Sequence, residues 1–101
     1  MIKKIMMLKS INIQTFQRTD FIDITTYVEE LLLESKLIEG EIDIFIPHTT
    51  CGITINENAD PDVMRDIKYF IDKIIHNDSN FLHNEGNSDS HIKTCLLYTS
   101  P

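Results

Sequence analysis

The sequence has few of the features that mark secreted or membrane-bound proteins. Its 101 residues include two cysteines, Cys51 and Cys95, which are too few for a secreted disulfide framework. No apolar run approaches the length needed to span a bilayer. Residues 1–8 also do not have the small-residue cleavage site of a signal peptide. We therefore expect a cytoplasmic protein that has no membrane partner.

Basic residues are also scarce. The chain has 9 lysines and arginines against 16 aspartates and glutamates, which gives a net charge of -7. This charge opposes attraction to phosphate backbones and to anionic lipid, so we expect no nucleic-acid partner. The 42% hydrophobic content is ordinary for a globular protein and allows one modest core. Partner subunits would be a natural source of further stability at this size.

Strand patterns alternate with helix patterns along the chain. Residues 5–16, 21–24, 42–46 and 52–56 have the alternating or β-favouring composition of short strands. Thr26 and Glu29 fit a capping box that opens a helix through about Lys36, and Gly40 marks its exit. This order of elements predicts an α+β fold with two layers.

A second helix is predicted to begin at Asp60 and Pro61. Asp60 suits the N-cap and Pro61 the first helical position. Apolar residues then recur at helical spacing and predict one buried stripe. Its members are Val63, Ile67, Phe70, Ile71 and Ile74. The Asn-, Ser-, Asp- and Gly-rich composition of residues 77–90 predicts a loop.

Two polar stretches, residues 48–62 and 81–93, hold most of the side chains suited to chemistry. His48, His83 and His91 could supply three imidazoles to one divalent metal, and imidazole suits zinc. The alternative is that each histidine only forms hydrogen bonds within its loop. His76 follows the apolar stripe and is predicted to have no role in a site.

Carboxylates, amides and a lysine accompany these histidines. Glu57, Asp60 and Asp89 could each act as a base, bind magnesium or orient a histidine. Asp60 also suits a helix N-cap, so Glu57 is the stronger candidate for a catalytic base. In a strand, Lys93 would share a face with His91 and suit a phosphate group, although a solvated lysine is the simpler alternative. Candidate substrate-binding residues are Thr49, Thr50, Asn56, Asn58 and Asn87.

Together the two stretches resemble the YjbQ-like family, whose small trimeric members are described as secondary thiamine-phosphate synthases. The resemblance is carried, in matching order and with similar spacing, by His48, Thr49, Thr50, Gly52, Thr54, Asn56, Glu57, Asn58, Asp60, His83, Asn87, Asp89, His91 and Lys93. It implies a two-layer sandwich of a mainly antiparallel sheet with two helices, assembled as a homotrimer. It also implies a site with His48, His83 and His91 as metal ligands, and with Glu57, His48 and Lys93 in catalysis.

The resemblance also sets an expected end of the family domain. Residues 1–94 are predicted to form a single YjbQ-like domain that lacks the C-terminal strands of its relatives. Residues 95–101 look like a translated sequencing adapter, and we expect this tail to add little stability. Residues 96–99 are expected at most to extend the preceding strand.

Two functions from different classes follow from the resemblance. The first is an enzyme that joins a pyrimidine pyrophosphate to a thiazole phosphate, or a metal-assisted hydrolase of a small phosphorylated compound. The second is a non-enzymatic trimeric protein that binds a metal or a metabolite. Three imidazoles suit zinc better than magnesium.

Overall fold

Residues 7–97 are described by a computed structural model, and they contain three helices. These are α1 (Thr25–Ser35), α2 (Pro61–Ile74) and α3 (Ser88–Leu97). The chain divides into two units between Asp43 and Ile44, with α1 in the first unit and α2 and α3 in the second. Within residues 7–97, no helix combines the length and the apolar composition that crossing a membrane requires.

Helix α1 begins two residues earlier than the capping box predicts. Its N-cap is Ile24, whose side chain makes no capping hydrogen bond, and Thr26 lies inside the helix. The predicted capping box is therefore wrong. Asp23 satisfies a backbone group at this end instead, because its Oδ1 accepts from the Thr25 N–H at 2.9 Å. The helix ends at Lys36, which adopts the left-handed conformation with φ 58°.

The start of α2 confirms the sequence prediction. Asp60 is the N-cap and its Oδ1 accepts from the Asp62 N–H at 2.9 Å. Pro61 occupies the first helical position, where its missing N–H is not needed. The acidic Asp62 lies in the first turn, where the helix dipole favours negative charge.

The buried face of α2 is rotated from the predicted stripe. Val63, Ile67 and Ile71 are half-buried as predicted, but Phe70 and Ile74 are more than half exposed. The half-buried face of α2 instead includes Met64, Lys68 and Asp72. The stripe prediction was therefore wrong at Phe70 and Ile74, because it counted only apolar residues and this face of α2 also packs polar ones.

Helix α3 replaces a predicted loop and strand. Residues 88–90 were predicted as the end of a loop and His91 and Lys93 as part of a strand, but all of them are helical. Residues 95–97 continue the helix. The expectation that residues 96 and 97 extend a strand is therefore also wrong. Residues 98 and 99 lie outside the described part. The sequence did contain a signal, because Asn87 suits an N-cap and Asp89 suits a first turn.

The predicted two-layer sandwich is wrong for this structure. Residues 7–97 contain no β-strand. The described parts of the four predicted strands, residues 7–16, 21–24, 42–46 and 52–56, have no regular secondary structure. Residues 5 and 6 lie outside the described range. Outside the regular helices, the backbone hydrogen bonds of this range join residues three or four positions apart, such as Phe81 N–H to Asp78 O at 3.0 Å. Alternation in a sequence indicates which side chains a strand would bury, but a strand also needs a distant partner for its backbone groups.

Burial is sparse in the described part of the chain. Between residues 7 and 97, the buried residues are Ile75 at the end of α2, which is 8% exposed, and Asp89 in the first turn of α3, which is 3% exposed. Ile42 and Ile44, predicted to face inward from a strand, are exposed. Packing in the second unit therefore depends on a small number of close contacts.

One of these close contacts joins Gly52 to α3. A Cβ atom placed on Gly52 would lie 3.3 Å from Leu97 Cβ and 3.8 Å from the Thr94 carbonyl oxygen. Glycine therefore allows the backbone at position 52 to approach the last turn of α3. Whether residues 95–101 as a whole contribute to stability stays a prediction.

We predict that Gly52→Ala lowers the free energy of unfolding by about 1 kcal/mol, because the added methyl group overpacks this contact. Gly40→Ala is the matched control, since its Cβ would meet only Leu37 Cδ1 at an ordinary 3.6 Å. Denaturant midpoints measure both changes. Equal midpoints for the two variants would show that the Gly52 contact does not constrain the fold.

Candidate functional site

Two of the three predicted metal-binding histidines lie side by side. The ring centroids of His83 and His91 are 5.4 Å apart, and the rings meet edge to face with an interplanar angle of 89°. His91 lies in the first half of α3, whereas His83 lies in the preceding loop. The start of α3 therefore brings together two imidazoles that are eight positions apart in the sequence.

A carboxylate lies beside the first of these histidines. Glu85 Oε2 is 3.6 Å from His83 Nε2, and both side chains are substantially exposed. A carboxylate at this position can orient the imidazole ring. The loop that carries both residues is held at Gly86, whose carbonyl oxygen accepts from Asn77 Nδ2 at 2.8 Å. Gly86 has φ 76°, a conformation that favours glycine.

The two histidines line an open pocket of about 390 Å³. Ser88, the first residue of α3, contributes a hydroxyl group to the same lining. The remaining walls are apolar and come from Phe81, Leu82 and Ile92. The pocket thus combines imidazole and hydroxyl groups with apolar surface, which is the usual composition of a small-molecule site.

Asn87 and Asp89 lie at the beginning of α3, next to this pocket in the sequence. The Asn87 carbonyl oxygen accepts from the N–H groups of Ser90 and His91, at 3.1 and 3.3 Å. Its side-chain Oδ1 is buried and, within residues 7–97, has no hydrogen-bond partner. Asp89 is 3% exposed. Buried oxygen atoms therefore accompany the histidines at this end of α3.

The first polar stretch has a more open arrangement. His48, Thr49 and Thr50 are exposed, and the two threonines form a turn instead of ending a strand. Asn56 Oδ1 accepts from the Glu57 N–H at 2.7 Å, and both residues are exposed. Asn58 is exposed as well. In the part of the chain that the structure describes, no three His, Cys, Asp or Glu side chains converge closely enough to hold a metal ion.

The Lys93 side chain is not a solvated surface lysine. Its Nζ donates to Asp72 Oδ1 at 2.7 Å, and its side chain is 12% exposed. Because His91 and Lys93 lie two positions apart in a helix, they do not share a face, in contrast to the strand arrangement expected from the sequence. The catalytic role of Lys93 stays a prediction, as do the roles of His48 and Glu57.

The sequence reasoning missed three polar residues of this region. Glu85 was passed over although a carboxylate two positions from a loop histidine can reach it. Ser88 was treated as part of a loop, because the helix that begins there was not predicted. Asp72 was overlooked, since no local pattern links it to Lys93 across 21 positions.

Comparison with known sequences relates the chain to one family. A sequence model of the family described as UPF0047 protein YjbQ-like matches residues 9–101. A UPF0047 protein of Methanocaldococcus jannaschii is 50% identical over 93 residues, which cover 92% of this chain and 67% of the relative. The UPF0047 protein YugU of Bacillus subtilis is 45% identical over 95 residues, which cover 93% and 72% respectively.

A solved structure agrees with these sequence matches. The crystal structure of an uncharacterised YjbQ/UPF0047-family protein from Clostridium acetobutylicum, an ortholog of YugU, is 46% identical to this chain. The two structures superpose with a TM-score of 0.74, over 84% of this chain and 66% of that chain. The chain spans about two thirds of the length of these relatives.

Proposed function

Because the chain belongs to the UPF0047 protein YjbQ-like family, we propose that its second unit carries a metal-assisted site for a small phosphorylated compound. The observation that supports this proposal is the pairing of His83 and His91, with ring centroids 5.4 Å apart. Two imidazoles on one tetrahedral zinc ion, with Zn–N bonds near 2.0 Å, have ring centres roughly 5 Å apart. The spacing of the pair therefore fits two of the ligands of a zinc site.

The donor set favours zinc over magnesium. Magnesium prefers carboxylate, phosphate and water oxygens, whereas His83 and His91 offer imidazole nitrogens. We propose His48, on the exposed segment after Pro47, as the third protein ligand. This role would require the segment to move, because the described residues do not bring three such side chains together. A bound zinc ion would polarise a phosphoryl oxygen and stabilise charge on a leaving group. In this proposal the Glu85 carboxylate orients the His83 ring through its contact with Nε2.

The start of α3 supports the choice of a phosphorylated substrate. Ser88 lines the pocket at the first helical position, where the helix dipole favours an anion. The apolar side chains of Phe81, Leu82 and Ile92 would contact the uncharged part of the compound. Because the net charge of -7 repels anions, an anion site in this protein requires a local feature that attracts them, such as the start of a helix. Thr49, Thr50, Asn56, Asn58 and Asn87 remain our proposed further substrate contacts.

We predict that Zn²⁺ binds the chain and that His83→Ala and His91→Ala each weaken this binding on the order of a hundredfold, because each removes one ligand. His76→Ala is the matched control, since His76 is an exposed imidazole just beyond α2. Isothermal titration calorimetry with Zn²⁺ measures all four proteins. If the control loses as much affinity as the two site variants, the proposed ligands are wrong.

We further propose that the site turns over a phosphorylated substrate. The reaction is the joining of a pyrimidine pyrophosphate to a thiazole phosphate, or, as the second candidate, hydrolysis of a small phosphorylated compound. We predict that His91→Ala lowers kcat/KM by on the order of a hundredfold, whereas His76→Ala leaves it unchanged. Chromatographic assays of thiamine phosphate and of inorganic phosphate measure the two reactions. Zinc binding without either product would instead favour the non-enzymatic, metal-binding alternative.

We propose that the full-length protein assembles as a homotrimer. Large apolar side chains such as Ile38, Phe45 and Ile55 are almost fully exposed in this structure, and subunit contacts would cover such surface. We predict that the full-length protein has a mass three times that of its single chain in light scattering after size-exclusion chromatography. The mass of a single full-length chain at micromolar concentration would contradict the trimer, whereas a monomer of residues 1–101 would not. A cytoplasmic location also stays a proposal.

A further inference from the structure

A salt bridge joins α2 to α3. Lys93 Nζ lies 2.7 Å from Asp72 Oδ1, across 21 positions of sequence. The Lys93 side chain is 12% exposed and that of Asp72 is 40% exposed. Lys93 is the more shielded partner, so removal of the Asp72 carboxylate would take an ion pair away from an ammonium group in a partly desolvated place.

The geometry of α3 links this salt bridge to His91. With 3.6 residues per turn, side chains two positions apart in a helix point in directions that differ by about 200°. Lys93 therefore forms its salt bridge with α2 from one side of α3, while His91 lines the pocket with Ser88 on the other side. A rotation of α3 about its axis would move the His91 ring relative to His83, which lies outside the helix.

We propose that Asp72 and Lys93 are positioning residues whose salt bridge sets the rotation of α3 and so holds the His91 ring against His83. Lys93 acts here through the protein and not by contacting a phosphate. The consequence for zinc binding rests on the proposed function, whereas the consequence for the distance between the two rings does not.

The first test uses the metal-free chain. Nuclear Overhauser contacts between the ring protons of His83 and His91 report their edge-to-face geometry directly. We expect Lys93→Met and Asp72→Asn to remove these contacts, because each breaks the salt bridge. Lys73→Met, which removes an exposed lysine from the same α2 helix, is the matched control and is expected to retain them. Persistence of the contacts in both site variants would overturn the proposal.

A rescue experiment separates positioning from loss of folding. The exchanged double variant, Asp72→Lys with Lys93→Asp, restores opposite charges at the two positions. We expect the ring contacts to return in it, and to be retained in Lys93→Arg. Circular dichroism follows the helix content of every variant. If Lys93→Met loses its helices, the exchanged double variant tests the proposal in its place. A folded double variant without ring contacts would overturn the proposal.

Zinc titration then tests the consequence for the site. We expect Lys93→Met to weaken Zn²⁺ binding about tenfold, as changes to groups that orient metal ligands do, and Lys73→Met to leave it unchanged. Ile75→Val removes one methylene from the buried Ile75 and controls for lower stability alone, so it is expected to keep both the affinity and the ring contacts. Absence of zinc binding in the unmodified chain would refute the proposed function, while the ring contacts would still decide the positioning role.

Discussion

The attraction between the Lys93 ammonium and the Asp72 carboxylate connects the two helices of the second unit at 2.7 Å. Burial elsewhere is sparse, because Ile75 and Asp89 are the buried residues within residues 7–97. In this sparsely packed unit, the ion pair and the approach of Gly52 to Leu97 are two of the contacts that join α3 to the other described residues. The geometry around α3 therefore depends on a polar interaction.

The chemistry of the site follows from the same helix. The first turns of α3 place Ser88 and His91 on one pocket wall, and the loop before them supplies His83 and Glu85. Each group alone is an ordinary polar side chain near a surface. Their combination brings a pair of imidazoles, a carboxylate and a hydroxyl group together beside apolar walls. That combination supports a metal-assisted site for a phosphorylated compound better than any individual residue does.

Family membership and the details of the fold are separate findings. The TM-score of 0.74 with a solved family member places the path of this chain within the YjbQ fold. The described residues nevertheless contain no hydrogen-bonded strand, and the predicted sandwich was wrong for them. Apolar residues at alternate positions, such as Ile42 and Ile44, predict that one face of a strand would be buried. Whether that face is covered depends on which segments approach it.

The sequence by itself determined the features that depend on neighbours in the chain. Asp60 and Pro61 specify the start of α2 through one side-chain hydrogen bond and a fixed φ angle. The ordered motif residues between His48 and Lys93 also identified the family. Only the tertiary structure decided the burial face of α2, the pairing of His83 with His91, and the salt bridge of Lys93 with Asp72. The last two features join residues 8 and 21 positions apart, and no local propensity encodes which of many possible partners a side chain will meet.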